Sequence, residues 1–171
     1  MKSLQFVYRK AEMRTVSSTS YGQGGVSIAN TGFDGFGPLL VKQAEAAFAQ
    51  QKVTVVGAKV IEDKEPIKVE SSSQAADDGT ARTFAAPVLI VTPTSGKVSA
   101  NQHATRTSYV FSVLLIDPDA RRTIWRATID TSTWSGQDFV LKNVSKTLYD
   151  ESYASQLLSA IANQMKIDGV I

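Results

Sequence analysis

Apolar residues run along the chain in two rhythms, short β-branched or aromatic runs and longer stretches at helical spacing. LQFVY, residues 4–8, reads as a first strand because aromatic and β-branched side chains dominate it. Residues 17–37 are rich in glycine and serine and support only a short strand near 26–29. Phe36, Leu40, Ala44, Ala47 and Phe48 then fall on one helical stripe. Pro38 suits a first helical turn, where its missing N–H leaves no bond unmade, so a core-facing helix is predicted over residues 38–51. VTVVGAKVI, residues 53–61, returns to the strand rhythm, and Gly57 within it marks a bulge or the close approach of another element.

Between residues 62 and 85 only Ile67 and Val69 are strand-like. The SSSQAADDGT centre offers too little apolar surface to offset the entropy of ordering, which predicts a mobile loop at about 71–85. PVLIVTP, residues 87–93, predicts a short strand punctuated at both ends by proline, with a buried middle. Residues 106–116 and 123–131 are long β-runs around Asp117-Pro118-Asp119-Ala120, a turn sequence that predicts an antiparallel hairpin. In its second run Trp125, Ala127 and Ile129 share one face and Arg126, Thr128 and Asp130 the other. The first run is apolar on both faces and belongs deeper in the sheet. Asp150 is a good N-cap for a closing helix carrying Ala154, Leu157, Leu158, Ile161 and Met165 on one stripe and ending at Gly169. The order of elements predicts a single α+β domain over residues 1–171, an α/β sandwich. Its sheet is mixed, largely antiparallel and of about five strands, with two helices packed on one face.

Charge narrows the classes of partner. Eighteen Lys and Arg against sixteen Asp and Glu leave a net charge of +2, too little to form a broad footprint for nucleic acid. The absence of cysteine excludes disulfides, thiolate catalysis and cysteine-ligated metals. No apolar run approaches the ~18 residues of a membrane span, and MKSLQFVYRKAEMR turns polar too soon for a signal peptide core. The chain is expected to be soluble, any secretion signal having already been removed.

Candidate chemistry is sparse. The glycine segment contains neither G-x-G-x-x-G nor a phosphate-loop pattern, and Asp34 beside the helix start opposes an anion. Asp117 and Asp119 begin like a calcium loop, but Arg121 occupies the third position. His103, the single histidine, lies in a polar loop with no nucleophile elbow to serve. Asp77 with Asp78, and Asp150 with Glu151, are adjacent acids explained by solubility and by the helix dipole. No catalytic, cofactor or metal residue is therefore assigned. Trp134 and Phe139, flanking SGQD after the hairpin, are the candidate partner contact, because exposed aromatics anchor interfaces; packing back over the sheet is the competing reading.

Ile124-Trp125-Arg126-Ala127, on a strand entered from an Asp-containing turn, and the closing NQMKIDGVI resemble features of small bacterial envelope lipoproteins of uncharacterised function. The likeness covers residues 109–171, and the layout is similar to the TolB N-terminal domain and the lipoprotein activators of penicillin-binding proteins. What the resemblance implies is a non-enzymatic periplasmic protein, anchored at the outer membrane, that binds another envelope protein in envelope assembly or maintenance. Homo-oligomers are compatible with it. The sequence has no lipobox cysteine, so a tether through a removed N-terminal lipid anchor is implied by the resemblance alone. A small carboxylate-dependent hydrolase and a cytosolic ligand-binding domain are the alternatives that the residues leave open.

Overall fold

The computed structural model describes residues 1–19, 25–28, 35–67, 71–75, 81–100, 105–134, 138–139 and 151–171, with backbone alone at 14–15, 17–19, 25–28, 71–75, 81–85, 98–100, 105–107 and 138–139. In chain order these form β1 (Ser3–Arg9), β2 (Arg14–Thr19), β3 (Gly25–Ile28), α1 (Phe36–Ala49), β4 (Thr54–Ile61), β5 (Ser71–Ala75) and β6 (Ala81–Ala85). There follow β7 (Val88–Ala100), β8 (Thr105–Asp117), β9 (Arg122–Asp130), a 3-10 turn (Thr131–Thr133), β10 (Asp138–Phe139) and α2 (Glu151–Ile167).

Five strands form the path β10-β8-β7-β1-β4, with β9 on β8, β2 on β7 and β3 on β2. β1 runs parallel to both β4 and β7, whereas β7, β8 and β9 are successively antiparallel. The result is the expected α+β fold with an open, mixed sheet. One face carries Leu4, Phe6 and Tyr8 of β1, Leu89 and Val91 of β7, and Phe111, Val113 and Leu115 of β8, all in one buried cluster with the apolar stripes of α1 and α2. The alternate residues Val7, Val88 and Ile90, with Ile61, form a second buried cluster against which Ile67, Leu114 and Ile116 pack. Burial on both faces explains why β1, β7 and β8 read as near-continuous apolar runs.

Of the two readings of Gly57, the bulge is the one observed beside it: Leu4 pairs with Val55 and Gln5 with Gly57, leaving Val56 as the extra residue. Gly37 has a different duty. A Cβ there would lie 2.6 Å from Cδ1 of Tyr8, which is fully buried, so the absence of a side chain lets the tyrosine ring meet the first turn of α1. At the far end of the chain, Gly169 adopts φ +69°. Its N–H donates to the carbonyl of Lys166 (3.1 Å) and that of Val170 to the carbonyl of Met165 (2.8 Å), the paired bonds of a Schellman stop.

Three expectations change. The segment at 71–85, read as a mobile loop, contains an antiparallel ladder of β5 with β6, pairing Ser71 with Ala85 through Ala75 with Ala81. Its serines and threonine show no apolar alternation, so the ladder left no hydrophobic signal. Pro93 does not end its strand. It lies where the edge of β7 passes from β1, last paired at Val91, to β2, first paired at Ser95, and beside a bulge against β8. There a proline is tolerated, and the extra residue Thr94 donates its hydroxyl to the Val110 carbonyl (3.0 Å). Finally, β2 occupies a stretch in which no strand was expected, because RTVSST docks through backbone pairing with β7 rather than through an apolar face.

Leu158 is fully buried in the helix-facing cluster. Leu158→Ala is expected to lower stability by about 2–5 kcal/mol in denaturant unfolding. Gly37→Ala should lower it by about 1–3 kcal/mol by driving a methyl into Tyr8. A loss under ~0.5 kcal/mol for both would contradict this packing.

Candidate functional site

The chain leaves β9 through a tightly bonded corner. Asp130 accepts from the Ser132 amide (2.8 Å) and caps the 3-10 turn, whose end is closed by the Trp134 amide donating to the Thr131 carbonyl (3.1 Å). Thr131 is buried beneath this turn. Its Oγ1 accepts from the Tyr109 amide (2.9 Å) on β8 and from the Tyr153 hydroxyl (3.0 Å) on α2, so one side chain joins turn, sheet and helix. Burial, partly offset by the bond to Thr131, holds the Tyr153 phenol protonated well above the ordinary tyrosine range. Tyr153 is therefore a fixed hydrogen-bond donor at neutral pH.

Trp134, half-buried, lays its ring against Tyr153 with centroids 5.7 Å apart. Together with Thr133 it forms one wall of an open groove of about 460 Å³. The other wall is the outer face of α2, where Ser155, Gln156, Ser159, Ala160 and Asn163 follow at helical spacing. No Asp, Glu, Lys or Arg occurs between Glu151 and Lys166, so this wall is uncharged.

Of the two aromatics expected to make the contact, Trp134 both packs on the core and lines the groove. Phe139 pairs through its backbone with Thr105 of β8, and its side chain lies outside the described residues. His103, Asp77, Asp78 and Asp150 also lie outside them. Asp117 performs the turn role, its Oδ1 accepting from the amides of Asp119 (3.0 Å) and Ala120 (3.1 Å). Glu151 makes an exposed ion pair with Lys42 at 3.0 Å. Among the described residues no group of three or more His, Cys, Asp or Glu could hold a metal ion, and no helix is long and apolar enough to cross a membrane. The helix wall leaves little mark in the sequence because its signal is an omission of charge rather than a motif.

No family model matches the chain, and no curated protein does. Among solved structures, a Xanthomonas campestris protein of the DUF330 family is similar with a TM-score of 0.48 and 12% identity, over 98% of this chain and 86% of that one. A homolog of neuraminyllactose-binding hemagglutinin from Helicobacter pylori gives 0.34 and 13%, over 96% and 82%. Lipoprotein GNA1162 from Neisseria meningitidis gives 0.36 and 13%, over 95% and 98%. None of the three is a TolB domain or a penicillin-binding-protein activator, and at these scores the likenesses carry no functional argument.

The buried phenol makes a pH prediction. The unfolded chain's tyrosine ionises near its ordinary value of 10.0 while native Tyr153 stays protonated, so the native state binds more protons and stability falls as pH rises beyond that value. Below it this contribution is constant. Thermal melts from neutral to alkaline pH should show a steeper decline for the wild type than for Tyr153→Phe; equal slopes would contradict the burial.

Proposed function

We propose that the chain is a non-enzymatic binding protein of the bacterial cell envelope, which docks another protein at the Trp134 groove during envelope assembly or maintenance. The observation that carries this reading is the pairing of a half-buried tryptophan, backed by Tyr153, with a solvent-facing helix wall free of charge. Exposed helix faces normally carry charged side chains, whereas interface centres are depleted of charge and enriched in Trp and Tyr. Phe139 is assigned as a second contact residue. The periplasmic, outer-membrane-anchored location rests on the sequence resemblance at Ile124-Trp125-Arg126-Ala127 and the closing NQMKIDGVI.

A photo-crosslinking residue at Ser159, introduced in the native organism, should capture one defined envelope protein, and the same residue at Lys97 should not. Ser159→Arg, on an exposed position, should block capture with stability changed by no more than ~0.5 kcal/mol. Trp134→Ala should weaken capture and lower stability by about 1–2 kcal/mol, reflecting a ring only half removed from water. Capture that survives Ser159→Arg would place the contact elsewhere.

A further inference from the structure

β1, β4, β7 and β9 all begin at one end of the sheet, since β1 runs parallel to β4 and β7 while β9 is twice reversed from β7. Both helices finish at this end. The Met1 nitrogen donates to the Val170 carbonyl (3.3 Å), and the Thr54 amide to the Lys2 carbonyl (2.9 Å). Trp125, near the start of β9, donates from Nε1 to Asp168 Oδ2 (2.7 Å) just after α2. These bonds gather the start of the chain, the α1–β4 junction, the β8–β9 turn and the end of α2 onto one surface.

Three of the four large hydrophobic residues that stand exposed among the described residues lie there: Ile167 at 78%, Ile124 at 45% and Met1 at 37%. Ile124 is the extra residue of a bulge, since Leu115 pairs with Trp125 and Ile116 with Thr123. Five exposed cations share the surface: Lys2, Lys52, Arg121, Arg122 and Lys166. Its acids are Asp117, Asp119 and Asp168, so the cations are in excess by five to three; Asp117 accepts from the turn amides and Asp168 from Trp125 and Gln164. At the opposite end of the sheet, among the described side chains, the acids Glu12, Glu62, Asp63, Glu65, Asp130 and Glu151 are nearly matched by the cations Arg9, Lys10, Lys42, Lys64 and Lys97. Among the described residues, the excess of cations and the exposed apolar side chains thus coincide at one end of the sheet.

We propose that the end formed by Met1, Ile124, Ile167 and the five surrounding cations seats the protein on an anionic bilayer. Cations attract the headgroups, and apolar side chains enter the boundary beneath them. Nucleic acid would match the cations but leave the apolar side chains without a purpose. Lys52 and Lys166 also stand near the carbonyl ends of α1 and α2, where a helix dipole favours cations, so binding must be separated from stability.

The test is co-sedimentation of the full chain with phosphatidylcholine vesicles, with and without phosphatidylglycerol. Binding should need phosphatidylglycerol and decline with salt. Arg122→Gln should weaken it about fivefold, as expected for one surface cation. Ile167→Ser should weaken it about tenfold at unchanged charge. Both variants should melt like the wild type, and Lys97→Gln, on the distal part of β7, should bind normally. Failure to bind phosphatidylglycerol vesicles would overturn the proposal. So would equal losses for Lys97→Gln and Arg122→Gln, or wild-type binding by Ile167→Ser, with duplex DNA bound as well as vesicles marking a general polyanion surface instead.

Discussion

The contact on which the architecture turns is the insertion of Phe36, at the start of α1, among three aromatic rings from three other elements. Its centroid lies 6.2 Å from Tyr8 on β1, 5.9 Å from Phe111 on β8 and 5.5 Å from Tyr153 on α2. Edge-on and tilted arrangements at these distances add to the gain from burial alone. One side chain thereby ties the first helix to the sheet centre and to the last helix, elements more than a hundred residues apart in sequence. Gly37 next to it is part of the same device, because only a residue without Cβ lets Tyr8 reach this position.

From Phe36 the packing passes outward to the groove. Tyr153 touches Phe36 on one side and Trp134 on the other, and its hydroxyl is fixed by Thr131, which also receives the Tyr109 amide. Trp134 is thus held from behind by the core while contributing to an open wall. A binding surface built on a rigid backing loses less conformational entropy on association than one carried by a free loop. The basic, apolar end of the sheet adds an orientation: a chain seated by it would carry the groove upright along α2, accessible from the side.

Both helices, the β8–β9 hairpin and the bulge at Gly57 were legible because each leaves a local, repeated mark: a stripe, an alternation, a turn sequence or a lone glycine in a β-run. The strands that escaped notice, β2, β5, β6 and the two-residue β10, are held by main-chain pairing to neighbours distant in sequence or lie in Ser- and Thr-rich stretches where no apolar face announces them. Pro93 misled for a related reason, since only the handover from β1 to β2 along β7 reveals why a proline fits mid-strand. Of the site, Trp134 was visible as an aromatic after a hairpin. Tyr153 and Thr131, which fix it, were not, because the bond between them spans 22 residues and has no sequence signature. Trp125, within Ile124-Trp125-Arg126-Ala127, and Asp168, within the closing NQMKIDGVI, are joined by a hydrogen bond, so in this chain the two segments lock the hairpin to the end of α2.

The groove is an extension of the core, pinned through Tyr153, Thr131 and Tyr109. Native-state hydrogen exchange at the Tyr109 amide measures this most directly, because that N–H is buried and donates to Thr131 rather than to a neighbouring strand at this bond. It should exchange only through global unfolding, with the same free energy and denaturant dependence as the central amides of β8. Exchange of Tyr109 through a low-energy local opening, insensitive to denaturant, would show that the corner beneath Trp134 moves independently of the core and would contradict the account.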